Sequence, residues 1–122
     1  MKFCIIIPVY NSEKHVIDVI KSVLRCTDVL IVVNDGSTDH TLEQIRNQKF
    51  ENIELLHYTK NKGKGYALQQ GFKKALELGC THAISMDADG QHLADDIADL
   101  KKKAIDNSQS LIIGSRRFDK PN

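Results

Sequence analysis

Phe3-Cys4-Ile5-Ile6-Ile7-Pro8-Val9 decides the fold. The run is short, apolar and rich in β-branched side chains, with no polar alternation. A strand buried on both faces of a parallel sheet reads this way, whereas a strand with one wet face alternates. Pro8 stands at its far end, where a missing N–H is tolerated. Comparable runs recur at Val29–Val33, Ile53–Tyr58, Thr81–Met86 and Leu111–Ile113. Between them, apolar residues fall at helical spacing. Val16, Ile17, Ile20, Val23 and Leu24 form the first such set, and Leu42 and Ile45 mark a short second one. Ala67, Leu68, Gly71, Phe72, Ala75 and Leu76 form the third, and Ile97, Leu100 and Ala104 turn inward from a helix over Ala94–Asn107. Tyr10-Asn11-Ser12 supplies turn and N-cap chemistry ahead of the first helix, and Gly79 a stop after the third. Short buried strands alternating with amphipathic helices predict an α/β fold: a doubly wound, mostly parallel sheet with helices on both faces.

The 122 residues suffice for one domain with a real core, and 41% hydrophobic with 27% charged content is that of a globular chain. A formal net charge of +1 leaves no electrostatic footprint for nucleic acid, so no such partner is expected. Lys101-Lys102-Lys103 reads as a solvated helix face. Cys4, Cys26 and Cys80 form no CxxC pair and are odd in number, which predicts a reducing, cytoplasmic setting without disulfides or zinc. Cys4 is expected to be a small core residue. The apolar N-terminus superficially imitates a secretion signal, but Pro8 and Asn11 interrupt it and no small-residue cleavage site follows. No run approaches the ~18 apolar residues of a membrane span.

In open parallel sheets, ligands bind beyond the carboxyl ends of the strands, where strand order reverses. The polar clusters all fall there: Pro8-Val9-Tyr10-Asn11, then Asp35 and Asp39, then Lys60–Gly65, Asp87–Gln91 and Ser115–Arg117. Asp87, Asp89 and Gln91 are spaced two apart, so extended backbone points all three to one side, with Ala88 and Gly90 leaving room between them. Two carboxylates and an amide oxygen are hard ligands suited to Mg²⁺ or Mn²⁺ carrying a diphosphate. Asp35 can accept N–H bonds from a nucleobase, whereas Asp39 is read as a helix cap. The glycines of Lys62-Gly63-Lys64-Gly65 let backbone N–H groups approach phosphate beside a helix N-terminus. This is no Walker loop, because GxxxxGK[ST] is absent. Arg116 is a candidate fork for phosphate oxygens. His57 and His82 are read as structural, and His92 lies near the site.

Five motifs in order resemble family 2 glycosyltransferases of the GT-A fold. They are Ile-Pro-Val-Tyr-Asn at 7–11, Asn-Asp-Gly-Ser-Thr-Asp at 34–39, Asn-Lys-Gly-Lys-Gly-Tyr-Ala at 61–67, Asp-Ala-Asp-Gly-Gln-His at 87–92 and Gly-Ser-Arg at 114–116. The fourth is most similar to that of the dolichol- or polyprenyl-phosphate mannosyl and glucosyl synthases. The resemblance implies an inverting transfer from a UDP- or GDP-sugar to a polyprenyl phosphate or a growing cell-envelope glycan. Asp35 would contact the base, Pro8, Tyr10 and Asn11 would shape the nucleotide pocket, and Lys64 would lie near the nucleotide. Asp87 would contact the sugar or metal, Asp89 and Gln91 would complete the metal site, and Arg116 would approach an acceptor phosphate. Asp87, Asp89 and Arg116 are thus the expected catalytic set.

Members of that family continue past the fifth strand into a part that carries the acceptor side of the cleft. Residues 1–122 are therefore expected to be the donor-binding half, weakly active or inactive alone. Any membrane contact would come through the later part or the acceptor, at the cytoplasmic face. Two other readings compete: a catalytically silent nucleotide-sugar-binding domain, and a haloacid dehalogenase-type phosphatase, whose Asp-x-Asp-Gly motif normally follows the first strand. The absence of GxGxxG after the first strand argues against a dinucleotide oxidoreductase.

Overall fold

The computed structural model describes residues 2–27, 29–88 and 102, together with the backbone of 112–113. The element order is β1 (Phe3–Val9), α1 (Val16–Leu24), β2 (Leu30–Asp35), α2 (Thr41–Asn47), β3 (Ile53–Tyr58), α3 (Lys64–Glu77), β4 (His82–Ser85) and β5 (Ile112–Ile113). All neighbouring strands pair in parallel, in the order β3-β2-β1-β4-β5. The expected doubly wound sheet is therefore present. Of the helix expected over 94–107, only Lys102 lies within the described residues, and it is helical.

The first two crossovers step outward from β1 to β2 and β3, and the third returns across β1 to β4. Because such crossovers share one hand, reversing the direction of travel moves the helix to the opposite face. Two cores result. Ile5, Ile7, Val9, Leu30, Val32 and Ile84 pack under Val16, Val19, Ile20 and Val23 of α1 and Ile45 of α2. Cys4, Ile6, Ile31, Val33 and Ala83 pack under Ala67 and Ala75 of α3. Alternate residues of one apolar run thus feed opposite cores, and each fully buried Ile, Leu or Val is worth about 1.5–3 kcal/mol.

Helix α3 approaches the sheet closely because its inner face carries small residues. A Cβ on Gly71 would lie 2.5 Å from Ile6 Cγ2, so the isoleucine fills a notch that only glycine leaves open. The helix ends as expected at Gly79 (φ +77), whose N–H donates to Leu76 O while the Cys80 N–H donates to Ala75 O. This reciprocal pair closes the last turn.

Three boundaries differ from the sequence reading. Helix α1 begins only at Val16, and the Ser12 side chain does not cap it: its hydroxyl donates to Tyr10 O, while its carbonyl accepts from His15 and Val16. Strand β2 runs on through Asn34 and Asp35, paired with Val9 on one side and with His57 and Tyr58 on the other. Their polar side chains tolerate this because each finds partners. The Lys64 and Gly65 expected in a loop are instead the first residues of α3. Cys4 is buried as expected, and burial together with the neighbouring Cys80 thiol pushes its pKa up to about 12.

Candidate active site

The reversal of strand order lies between β1 and β4, and there the carboxyl ends of the strands open a cleft of about 450 Å³. Its lining comes from four strand ends: Pro8, Val9, Tyr10 and Ser12 after β1, Asp35 at the end of β2, Asn61, Gly63 and Lys64 after β3, and Asp87 and Ala88 after β4. That size is ordinary for a small-molecule site. Tyr10 is 48% exposed, an aromatic ring held at the rim rather than in the core.

Lys64 and Asp87 face each other across this cleft, with Nζ 2.5 Å from Oδ1. The lysine side chain is 35% exposed and the aspartate 11%. Lys64 opens α3, where a cation opposes the helix dipole, and no acidic residue shares that first turn. The N-cap, Gly63 at φ +95, gives no side-chain cap. A helix start that keeps a lysine and lacks a carboxylate suits an anion arriving from outside.

Asp35 is 4% exposed, and both its oxygens are fully engaged. Oδ1 accepts from Tyr58 Oη (2.6 Å) and the Lys62 N–H (2.8 Å). Oδ2 accepts from Asn61 Nδ2 (2.9 Å) and the Gly63 N–H (3.0 Å). Asn61 Nδ2 also donates to the Asp35 carbonyl at 3.0 Å. Burial and the adjoining carboxylate push the Tyr58 hydroxyl well above the usual phenol range. Tyr58 meets Tyr66 edge-on at 5.3 Å, and the Lys62 ammonium sits 4.9 Å from the Tyr66 ring centre. The spacing of Asp35 was legible in the sequence, but Tyr58 and Asn61 were missed as its partners. The available signal was register, since the ends of β2 and β3 set Asp35 beside Tyr58.

Pro8, Tyr10, Asp35, Lys64 and Asp87 are thus brought together, as the sequence placed them. Asn11 is not among the lining residues. At φ +49 its Oδ1 accepts from the Thr38 N–H (2.8 Å) and the Asp39 N–H (3.3 Å), while its own N–H donates to Ser37 Oγ. It ties the turn after β1 to the turn after β2. Asp39 acts as the expected cap, accepting from the Thr41 N–H and hydroxyl and from the Glu13 N–H. Burial opposes its ionisation, but those donors outweigh it and hold the carboxyl below its usual range. His57 accepts or donates at Asn34 Nδ2, and His82 stacks on Phe3, both structural as read. Asp89, Gln91, His92 and Arg116 lie outside the described residues.

Asp87 is the one described member of the expected metal set. Its carboxylate is a hard oxygen donor facing the cleft, which fits Mg²⁺ or Mn²⁺. Among the described residues there is no group of three or more His, Cys, Asp and Glu placed to hold a metal. None of their helices is long and apolar enough to cross a membrane.

Comparison with known proteins agrees with this geometry. The chain is 38% identical to the UDP-N-acetylglucosamine–dolichyl-phosphate N-acetylglucosaminyltransferase of Methanococcus voltae, over 92% of this chain and 51% of that protein. It is 32% identical to the polyprenol monophosphomannose synthase of Mycolicibacterium smegmatis, over 92% of this chain and 44% of that protein. Against the undecaprenyl-phosphate mannosyltransferase of Micrococcus luteus the identity is 33%, over 96% and 49%. The chain thus spans about half the length of the curated relatives it matches. Residues 4–122 match the family model described as Glycosyl transferase family 2, and the chain belongs to that family.

Proposed function

We propose that this chain forms the donor side of an enzyme that moves a sugar from a nucleoside diphosphate sugar to a polyprenyl phosphate, with inversion at the sugar carbon. The observation that carries this reading is the Lys64–Asp87 pair at the strand-order reversal, beside the start of α3. The cleft has two chemically distinct ends. Pro8 and exposed Tyr10 offer apolar and aromatic surface to a base, near Asp35. Lys64 and the N–H groups that open α3 offer positive charge to a diphosphate.

Asp87, Asp89 and Gln91 would hold Mg²⁺ or Mn²⁺, whose charge offsets that of a departing diphosphate. Asp87 also reaches the sugar, and Lys64 shifts from its carboxylate towards phosphate oxygen as the donor enters. Arg116 meets the acceptor phosphate. A phosphate oxygen is already anionic at pH 7, so that acceptor needs no strong general base, whereas a hydroxyl acceptor would. The relatives named for dolichyl, polyprenol and undecaprenyl phosphate support the lipid acceptor over a glycan. The reaction would run at the cytoplasmic face, where nucleotide sugars and the lipid headgroup meet. The Asp-Ala-Asp motif follows β4 rather than β1, which together with the family match leaves the phosphatase reading without support.

Thermal-shift and calorimetric titration with UDP, GDP and their sugars, with and without Mn²⁺, test this. One base series should bind and its affinity should rise with Mn²⁺. Lys64→Met should weaken the diphosphate about tenfold, the loss of one charge-assisted contact. Asp89→Ala should abolish the Mn²⁺-dependent part alone. Absence of binding by both series, with and without Mn²⁺, refutes the proposal.

A further inference from the structure

We infer that Asp35 is the positioning residue for the phosphate-facing wall of the cleft: its carboxylate fastens residues 61–63 and so sets where Lys64 stands. The inference rests on the nucleotide-sugar reading above and deepens it.

A carboxylate offers about four acceptor sites, and here all four are filled by this chain. Two of the donors are the consecutive N–H groups of Lys62 and Gly63, which directly precede Lys64. Asp35 is thus anchored within two residues of the ammonium that meets Asp87. The loop is seated from a second side as well. A Cβ on Gly36 would stand 2.3 Å from Asn61 N and 2.5 Å from the Lys60 carbonyl carbon, so the turn after β2 presses directly on the loop backbone. Tyr58 holds the carboxylate from outside, since it is not among the cleft-lining residues.

A second consequence follows from saturation. A base N–H that reaches Asp35 must replace one of its present donors. Of the side chains that donate to it, only Asn61 also lines the cleft. The base end and the phosphate end of the cleft therefore share one carboxylate.

Tyr58→Phe separates the two roles. It keeps the ring against Tyr66, leaves every lining residue in place and removes one donor from Asp35. With Mn²⁺ fixed, the variant should bind pyrophosphate about fivefold or more weakly, through the loosened loop, while its affinity for uridine or guanosine stays unchanged. In the unliganded chain, amide exchange at Lys62 and Gly63 should accelerate. Unchanged pyrophosphate affinity overturns the inference, and so does an equal loss for nucleoside and pyrophosphate, which marks general loosening. Slow, unaltered exchange at both amides overturns it independently of any ligand. If the parent chain binds neither pyrophosphate nor nucleotide, the nucleotide-sugar reading itself falls and takes the inference with it.

Discussion

Replacing Gly36 by alanine drives a methyl group into the backbone of the loop after β3. Gly36 sits at φ +64, so alanine there first costs about 1–2 kcal/mol in left-handed backbone strain. The new Cβ would then lie 2.3 Å from Asn61 N and 2.9 Å from its Cα. Ordinary contact requires a withdrawal of roughly 1 Å. Such a shift carries Asn61 Nδ2 out of bonding range of both Asp35 oxygens it now reaches at 2.9 and 3.0 Å. A bond to a charged group is worth about 1.5–3 kcal/mol and a neutral one about 1. The sum is about 3–5 kcal/mol, a large part of a domain's stability. Urea denaturation reads it as a lower midpoint at constant slope. Gly79→Ala is the control: it too has positive φ (+77), but nothing stands within 4 Å of its added Cβ, so it should cost only the backbone term. Equal losses in the two variants would refute the reasoning, because the contact with Asn61 would then contribute nothing.

Gly71→Ala should destabilise despite alanine's better helix propensity. The added methyl meets buried Ile6 Cγ2 at 2.5 Å, and overpacking of about 1–3 kcal/mol exceeds the roughly 1 kcal/mol gained in the helix. Adding Ile6→Val should recover part of the loss, and its failure to do so in a double-mutant cycle counts against the notch. The Asp39 carboxyl is held below 3.8 in the folded chain, so its contribution to stability is present above that pH and is lost as pH falls through the lowered value. Asp39→Asn should therefore flatten the stability profile below pH 3.8, and parallel profiles for parent and variant would contradict the assignment.

The alternation of strands and helices was legible because parallel strands buried on both faces leave unbroken apolar runs, as in Cys4–Ile7 and Leu30–Val33. The gathering of polar loops at one sheet edge followed from topology alone, and it correctly drew together Pro8, Tyr10, Asp35, Lys64 and Asp87. Pairwise commitments were not legible. Nothing in the spacing shows that Asp35 is filled by groups 23 to 28 residues away. Nor does it show that Lys64 begins a helix against the dipole while its ammonium meets Asp87. Ser12 misled for a related reason: a capping residue type marks a helix start only when the next residue is already helical, and here three residues of turn intervene.

Ile6 seated in the Gly71 gap acts on α3 as a detent acts on a sliding rod. It blocks travel of the helix along its own axis, and Lys64 lies seven residues nearer the cleft, about 10 Å at 1.5 Å per residue. The height of the ammonium above the sheet edge is thus fixed two turns away, in a part of the molecule no substrate reaches. Variation at positions 6 and 71 would retune catalysis while leaving every lining side chain untouched.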